Sequence, residues 1–342
     1  MTRVKLPPCA TRSLIRMLAS KSKVSGTPVR DGFVPAYVRL LESGELARRV
    51  ELAWRHLEDC DLCARYCYVN RRTGVEGAVC RTGERAVVAS WGPHHGEEDV
   101  LRGWRGSGTI FFGWCNLRCV YCQNWDLSQK GAGREVEPAT IADMMLELQE
   151  DGCHNVNFVS PSHVVAQIIA AVAIAAKNGL RLPLVYNTGG YDSFEALQLL
   201  DGIVDIYMPD MKYGDSGLAR KYSKVRDYVA ANRQAVKEMH RQVGDLVVDE
   251  HGIAQRGLLV RHLVLPDDIA GTEAVLEFLA EDVSPNTYVN LMDQYRPCYR
   301  ADAYPELDRE ITRDEYEAAL GSARRHGITR LDHRARRLQH AR

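Results

Sequence analysis

The chain has 342 residues, 45% of them hydrophobic, which is enough for one large domain or two ordinary ones. Its 44 Lys and Arg residues nearly balance its 45 Asp and Glu residues, so no overall field predicts binding to nucleic acid or to a membrane. The N-terminal sequence MTRVKLPPCATRSLIRMLAS lacks the apolar stretch of a secretory signal. The longest apolar run, residues 164–176, is too short to span a bilayer. We therefore expect a cytoplasmic protein.

Residues 1–107 form the first predicted region, with a helical pattern over 34–60 and Gly-rich loops after it. Cys60, Cys63, Cys67 and Cys80 follow the spacing C-x2-C-x3-C-x12-C. In a chain without an export signal, clustered thiols favour metal or redox chemistry over disulfides. Four thiols make a closed set, which either structural zinc or a second [4Fe-4S] cluster satisfies, and the spacing does not choose between them. We expect a small metal module packed against the next region.

Residues 108–300 form the second predicted region, in which short apolar runs alternate with helical periods. Strands are predicted at 109–112, 155–159, 183–187, 204–209, 258–266 and 287–292, and helices around 139–152, 162–178, 192–200, 217–242, 272–282 and 312–326. Such an alternation predicts an α/β fold with a parallel sheet, either open or curved into a partial barrel. A hairpin is predicted within 244–260. The last of these helices, 312–326, lies in a third predicted region, residues 301–342, which also contains a basic tail.

Three cysteines, Cys115, Cys119 and Cys122, lie on the loop that follows the first strand of this second region, with the spacing C-x3-C-x2-C. A structural zinc site normally has four protein ligands, so this set is incomplete for zinc. Three thiolates from one short loop suit a [4Fe-4S] cluster that leaves one iron open to a small molecule. The position agrees, because active sites of βα folds gather at the carboxyl ends of the strands. Cys9, Cys153 and Cys298 lie outside both sets, and we expect inert thiols there.

The segment CNLRCVYCQN, residues 115–124, resembles the signature of the radical S-adenosylmethionine (radical SAM) superfamily. Residues 93–129 resemble, more narrowly, the uncharacterised iron–sulfur homologues of pyruvate formate-lyase activating enzyme. The resemblance covers roughly residues 57–300 and implies a partial (β/α) barrel of the radical SAM type. It also implies an oxidoreductase whose open iron chelates S-adenosylmethionine (SAM). One electron from the cluster would cleave SAM to methionine and a 5′-deoxyadenosyl radical, which abstracts hydrogen from a substrate.

The resemblance also implies partners. The substrate would be a glycyl-radical enzyme, on which the radical abstracts hydrogen from a backbone glycine. The electron would come from a donor such as flavodoxin or ferredoxin. Two alternatives stay open: the same chemistry on a small molecule or another peptide, and a non-catalytic zinc or iron–sulfur scaffold in which the cysteines serve stability alone.

Several further residues match family elements. By similarity, Tyr121 would lie against the adenine, and Asp210 and Lys212 in MPDMK would approach the ribose or carboxylate of SAM, unless they form a structural ion pair. Asn187 ends the third strand in VYNTGGY, where the chain either approaches a ligand or makes a tight turn. His262 resembles the family's cofactor-contacting histidine; otherwise it is a core residue.

Three local patterns qualify this picture. Strand alternation in LVRHLVLP puts one of Arg261 and His262 inside the barrel and the other outside. Many superfamily members carry a Gly-Gly-Glu segment after the second strand, whereas residues 159–163 read VSPSH. Ser160, Ser162 and His163 could replace that carboxylate as polar contacts. Residues 94–98, HHGEE, either line the opening near the cluster or form an ordinary polar loop.

Overall fold

A computed structural model of the chain describes residues 32–332. That part contains nine strands: β1 (Ala86–His94), β2 (Ser107–Phe112), β3 (Arg134–Val136), β4 (Val156–Val159), β5 (Leu184–Thr188), β6 (Ile206–Pro209), β7 (Val247–Val248), β8 (Ala254–Leu263) and β9 (Tyr288–Met292). Its α-helices are α1 (Ala36–Glu42), α2 (Glu45–Arg55), α3 (Asp99–Arg102), α4 (Trp125–Lys130), α5 (Pro138–Glu150), α6 (Val165–Lys177), α7 (Phe194–Leu200), α8 (Ser216–Ser223), α9 (Tyr228–Val243), α10 (Thr272–Phe278) and α11 (Arg313–Arg325). Short 3-10 turns at Pro266–Asp268, Ala301–Ala303 and Pro305–Leu307 and a π-helical turn at Leu279–Val283 complete the list.

Six strands form a parallel sheet in the order β2-β4-β5-β6-β8-β9. β1 pairs antiparallel with the outer edge of β2, and β3 pairs with β1. Among the described strands, no pairing joins β9 back to β2, so the sheet is open. The predicted α/β fold with a partial parallel barrel is confirmed. The carboxyl ends of the six strands meet at one edge, which is where loops can build a site.

Helix α6 is apolar on nearly every side. Every residue of α6 from Val165 to Ala176 is buried, and the helix packs between α5, α2 and α1. A helix that is apolar all round belongs in a protein interior. Within residues 32–332, no helix combines the length and the hydropathy that crossing a bilayer requires.

The interior of the barrel has a separate apolar layer toward the amino ends of the strands. It includes Val185, Ile206, Met208 and Leu259 from the sheet, with Leu101 from α3 packed among them. The short helix α3 therefore plugs this end of the barrel and leaves the other end for polar residues.

The strand predictions match the six parallel strands within a few residues, and β7 and β8 form the expected hairpin. Two predicted helices are split. The pattern over 217–242 is interrupted between α8 and α9, where Lys224 and Asp227 have φ values of 56° and 50°. The pattern over 34–60 breaks at Gly44, which has a φ of 78°. Strands β1 and β3 were not predicted. Cys9 and most of the basic tail, residues 333–342, lie outside the described residues.

Gly257 offers a test of the packing around β8. Its φ is +124°, and a Cβ there would lie 2.4 Å from the carbonyl oxygen of Asp245. We expect Gly257→Ala to lower the free energy of unfolding by about 2 kcal/mol, because both strain and a backbone clash oppose the methyl group. Denaturant unfolding of the full chain measures this change.

Gly321→Ala is the matched control. Gly321 lies inside α11, and the nearest atom to an added Cβ, in the side chain of Arg325, is 3.6 Å away. We expect this variant to gain about 0.5–1 kcal/mol from helix propensity. Equal losses in both variants would contradict the close approach assigned to Gly257.

Candidate active site

A cavity of about 380 Å³ opens at the carboxyl ends of the parallel strands, within the size range of small-molecule sites. Every strand of the parallel sheet supplies lining residues at or just beyond its carboxyl-terminal half. The lining consists of His94, Gly96, Glu97, Glu98, Phe111, Cys115, Leu117, Cys119, Cys122, Asn124, Ser128, Gln129, Val159, Ser160, Asn187, Thr188, Gly189, Asp210, Lys212, Arg261, Asn290, Met292 and Gln294. The cavity therefore brings together the three-cysteine loop and most of the cofactor-binding residues expected from the sequence.

Backbone hydrogen bonds to the end of α8 hold the three-cysteine loop, which lies between β2 and α4. The amides of Arg118 and Val120 donate to the carbonyls of Ser223 and Tyr222, at 3.0 and 2.8 Å. These partners are the last residues of α8, where carbonyl groups lack helical partners. Buried tyrosines fill the space beneath, namely Tyr121, Tyr191, Tyr213, Tyr222 and Tyr228. The loop is thus held by backbone hydrogen bonds on a rigid aromatic base.

Each thiol of the loop has a polar neighbour on the protein side. The amide of Leu117 donates to Cys115 Sγ at 3.3 Å. The hydroxyl oxygen of Ser223 lies 3.0 Å from Cys119 Sγ, and that of Ser128 lies 3.1 Å from Cys122 Sγ. Donors around cysteine sulfurs tune iron–sulfur clusters and stabilise thiolates.

Burial keeps two of these thiols protonated when no metal is bound. It raises the pKa of Cys115 to about 12 and that of Cys119 to about 11. Metal ligation requires the thiolate, so binding would release these protons. The neighbouring donors and the cation of Lys212, which acts to lower the pKa of Cys119, favour that step.

The donor set fits a multi-iron cluster better than a single ion. Among residues 32–332, no three His, Cys, Asp or Glu side chains are placed to hold one metal ion. A [4Fe-4S] cluster does not require its thiolates to converge on one point, because each binds a different iron. Three thiols along one wall of a cavity, with open space beside them, match a cluster that has one unligated iron.

Asp210 and Lys212, directly after β6, form an ion pair in the cavity wall, with Lys212 Nζ 2.5 Å from Asp210 Oδ2. Burial alone would lower the pKa of Lys212, but the charges of Asp210 and Cys119 raise it above its ordinary value. The lysine is therefore a permanent cation beside the cysteine loop. Asn187, at the end of β5, lies in the same wall.

A second ion cluster lies deeper in the cavity and involves residues 97 and 98. Arg261 donates to Glu98 through Nε and Nη2, both at 2.6 Å, and its Nη2 also donates to Glu97. Asn290 donates to Glu98 at 2.7 Å. Burial alone would raise the pKa of Glu97, but the charge of Arg261 and hydrogen bonds from His94 and Arg261 lower it to about 2. The segment HHGEE therefore lines the cavity through its two buried glutamates.

Three residues expected to contact the cofactor lie outside the cavity lining. His262 is fully buried, and its ring nitrogens bond to the carbonyl of Met211 and to Thr272, so Arg261 is the inward residue of the pair. Tyr121 donates to Tyr213 at 2.7 Å beneath the loop, and its ring does not line the cavity. Ser162 bonds to Thr188 at 2.8 Å and is also outside the lining.

Of the two serines and the histidine in the VSPSH segment, Ser160 alone lines the cavity. Ser160 faces the cavity with a φ of 60°, a conformation that a non-glycine residue seldom adopts. His163 instead bonds to the carbonyl of Gly113 at 2.9 Å, and burial lowers its pKa to about 3, so it is neutral.

Asn290 is a cavity residue that no sequence motif predicts. Its place follows from register: β8 and β9 pair with Arg261 opposite Asn290, so the two side chains point the same way. The alternation of side chains along β8 and β9, taken together with this register, places Asn290 on the same face as Arg261.

The four cysteines of the N-terminal region lie close to one another. Cys60, Cys63 and Cys80 are buried and Cys67 is half-buried, and all four are free thiols. Arg65 donates to the carbonyl of Asn116 at 2.8 Å, which attaches this region to the three-cysteine loop.

Comparison with known proteins identifies the family. The sequence model of the radical SAM superfamily matches residues 109–253. The uncharacterized protein MJ0674 of Methanocaldococcus jannaschii is 35% identical over 289 residues, covering 82% of this chain and 78% of the relative. The chain belongs to the radical SAM superfamily, whose members use a [4Fe-4S] cluster and SAM.

Two solved structures are similar to the chain at low identity. A radical SAM methyltransferase from Sphaerobacter thermophilus has a TM-score of 0.44 and 14% identity, over 88% of this chain and 94% of that one. The hydrogenase maturase HydG from Carboxydothermus hydrogenoformans has a TM-score of 0.46 and 11% identity, over 95% of this chain and 70% of that one. Neither likeness bears on the substrate.

The buried ion cluster predicts a reversal of pH dependence in Arg261→Met. In the wild type the pKa of Glu97 lies near 2, below its ordinary value of 4.5. Its contribution to stability is therefore complete above pH 4.5 and lost as the pH falls toward 2. Without the guanidinium, burial would raise the pKa of Glu97 above 4.5, so the variant should become more stable as the pH falls toward 4.5.

At pH 7 we expect Arg261→Met to cost about 3–5 kcal/mol, the usual loss when one partner of a buried pair is removed. Arg241→Met is the control, because Arg241 pairs with Asp201 and Glu238 at the surface and should cost less than about 1 kcal/mol. Denaturant unfolding at several pH values measures both. An Arg261→Met variant that does not gain stability as the pH falls toward 4.5 would contradict the assignment.

Proposed function

We propose that the chain binds a [4Fe-4S] cluster through Cys115, Cys119 and Cys122 and reductively cleaves SAM in the adjoining cavity. The observation that carries this proposal is the placement of three thiols in one wall of a polar cavity that offers no fourth cysteine. When bound, the cluster supplies one electron from an external donor, which breaks a carbon–sulfur bond of SAM to give methionine and a 5′-deoxyadenosyl radical.

The charge of the cavity supports SAM as the ligand. Glu97, Glu98 and Asp210 supply three carboxylates, against two cations from Lys212 and Arg261. SAM carries a sulfonium, an ammonium and one carboxylate, and so brings one excess positive charge. A cavity with one excess negative charge attracts such a cation, and its low dielectric strengthens the attraction.

Groups at the strand ends are placed to orient the cofactor. Asp210 can accept from an ammonium or ribose hydroxyl, while Lys212 can donate to a carboxylate. Ser160 and Asn187 add short polar contacts at the ends of the neighbouring strands β4 and β5. In this proposal these groups together replace the Gly-Gly-Glu segment that residues 159–163 lack. The strained φ of Ser160 agrees, since backbone strain collects at functional sites.

The hydrogen donor is proposed from the resemblance of residues 93–129 alone. It is a backbone glycine of a partner enzyme, which would become a glycyl radical while 5′-deoxyadenosine leaves. The chain would then need two protein partners, an electron donor and the glycyl-radical enzyme.

The first test concerns cofactor cleavage. Cys119→Ala removes one of three proposed cluster ligands, and we expect formation of 5′-deoxyadenosine to fall at least 100-fold. The assay is anaerobic, with reconstituted iron and sulfide, dithionite and SAM, and chromatography measures the product. Cys153→Ala removes a buried thiol that lies just before β4, at the amino ends of the strands, and should retain wild-type cleavage.

Iron content separates the outcomes of that experiment. A wild-type chain that binds iron and sulfide, yet yields no 5′-deoxyadenosine, would overturn the proposal and favour a scaffold role. Loss of cleavage in Cys153→Ala would show that the cysteines were wrongly sorted.

The second test concerns the hydrogen donor. A candidate glycyl-radical enzyme is incubated with the reduced chain and SAM, and we expect a glycyl radical in electron paramagnetic resonance spectra. Cys119→Ala is the control and should give no signal. Efficient SAM cleavage without a protein radical, and stimulated by a small molecule instead, would contradict the glycine donor while leaving cleavage established.

A further inference from the structure

Arg71 is a buried cation in the middle of the four-cysteine set Cys60, Cys63, Cys67 and Cys80. Its side chain is 2% exposed. Its Nε donates to the carbonyl of Thr82 at 2.6 Å, and Nη2 donates to the carbonyl of His163 at 2.7 Å. Its Nη1 lies 3.5 Å from Cys60 Sγ. These contacts satisfy hydrogen bonds, but none of the oxygen partners carries a charge.

A buried charge normally has a charged partner, since removing an unpaired ion from water is costly. Within residues 32–332, no carboxylate forms an ion pair with Arg71. Arg71 interacts electrostatically with the sulfurs of Cys60, Cys63 and Cys80. Among the described residues, these cysteines are the neighbours of Arg71 that can supply the missing negative charge as thiolates.

We propose that Cys60, Cys63, Cys67 and Cys80 bind a second metal centre as four thiolates, and that Arg71 is its charge partner. Four thiolates around Zn²⁺, or around a [4Fe-4S] core of charge two plus, leave two excess negative charges. One buried guanidinium compensates half of this charge and donates a hydrogen bond to one sulfur, as outer-shell groups of metal sites do. Among residues 32–332 the side chains of this set do not converge on one ion either, so the separate irons of a cluster fit the four thiols better than zinc does, and the experiment distinguishes the two.

The centre would lie against the three-cysteine loop. Arg118 of the loop donates to the carbonyl of Val79, next to Cys80. From the module side, Ala64 donates to the carbonyl of Tyr191 at 3.3 Å, and Asn116 of the loop donates to the same carbonyl at 2.8 Å. A metal that fixes Cys63 and Cys80 would therefore also fix the backbone that supports the loop.

The experiment uses the full chain with Cys115, Cys119 and Cys122 all changed to Ala, so that bound metal reports on the module alone. We expect either about four irons with about four sulfides, or one zinc, per chain after anaerobic purification. Adding Cys63→Ala should remove that metal, and adding Cys153→Ala should not. Iron with sulfide identifies a cluster, and zinc without sulfide identifies a structural ion.

Arg71 variants test the charge partner in an otherwise wild-type chain. Arg71→Met should lose the module's metal to a chelator about 10- to 100-fold faster than the wild type, with Arg71→Lys in between. Circular dichroism checks that both variants fold. If the charge were irrelevant, methionine and lysine variants would release metal alike.

A triple variant that binds neither metal, or whose metal is unchanged by Cys63→Ala, would overturn the proposal. Metal content in this variant is independent of SAM cleavage. The proposed function and the second centre can therefore fail separately.

Discussion

The buried contact of Arg261 with Glu97 and Glu98 joins parts of the chain that no strand pairing joins. Glu98 lies between β1 and α3, next to the β2 edge of the parallel sheet in the chain, whereas Arg261 and Asn290 lie on β8 and β9 at the other edge. Among the described strands β9 does not pair with β2, so this ion cluster bridges the open side of the barrel. The floor of the cavity therefore depends on a charged contact, and the site and the fold share one stabilising element.

The architecture was largely readable from the sequence because parallel strands covered on both faces are continuous apolar runs. TIFF and PLVYN carry this signal, and they overlap β2 and β5. Strand β1 does not carry it, since its sequence AVVASWGPH ends in polar and turn-forming residues and its outer half is exposed. Its place depends on pairing with β2, which composition alone does not reveal.

The candidate site divides in the same way. Cys115, Cys119 and Cys122 are close in sequence, so their spacing predicts a shared ligand before any fold is known. Arg261 and Glu98 are 163 residues apart, and only the path of β8 through the barrel brings them together. His262 lies on the face of β8 that points away from the cavity, because in a strand one step along the chain moves a side chain to the opposite face. Its neighbour Arg261 therefore occupies the cavity.

The two cysteine sets differ in their access to solvent and ligand. The three-cysteine set borders a cavity, whereas three of the other four sulfurs are buried beside Arg71. Arg118 lies between them: the thiol of Cys115 acts to raise its pKa, as does that of Cys80, although burial lowers it overall. Because Arg118 interacts with both cysteine sets, a change of charge on one set changes the electrostatic potential at the other. If both sets bind metal, a change of charge at one centre would alter the potential of its neighbour, and the packing of the module against the loop would have an electrostatic as well as a structural consequence.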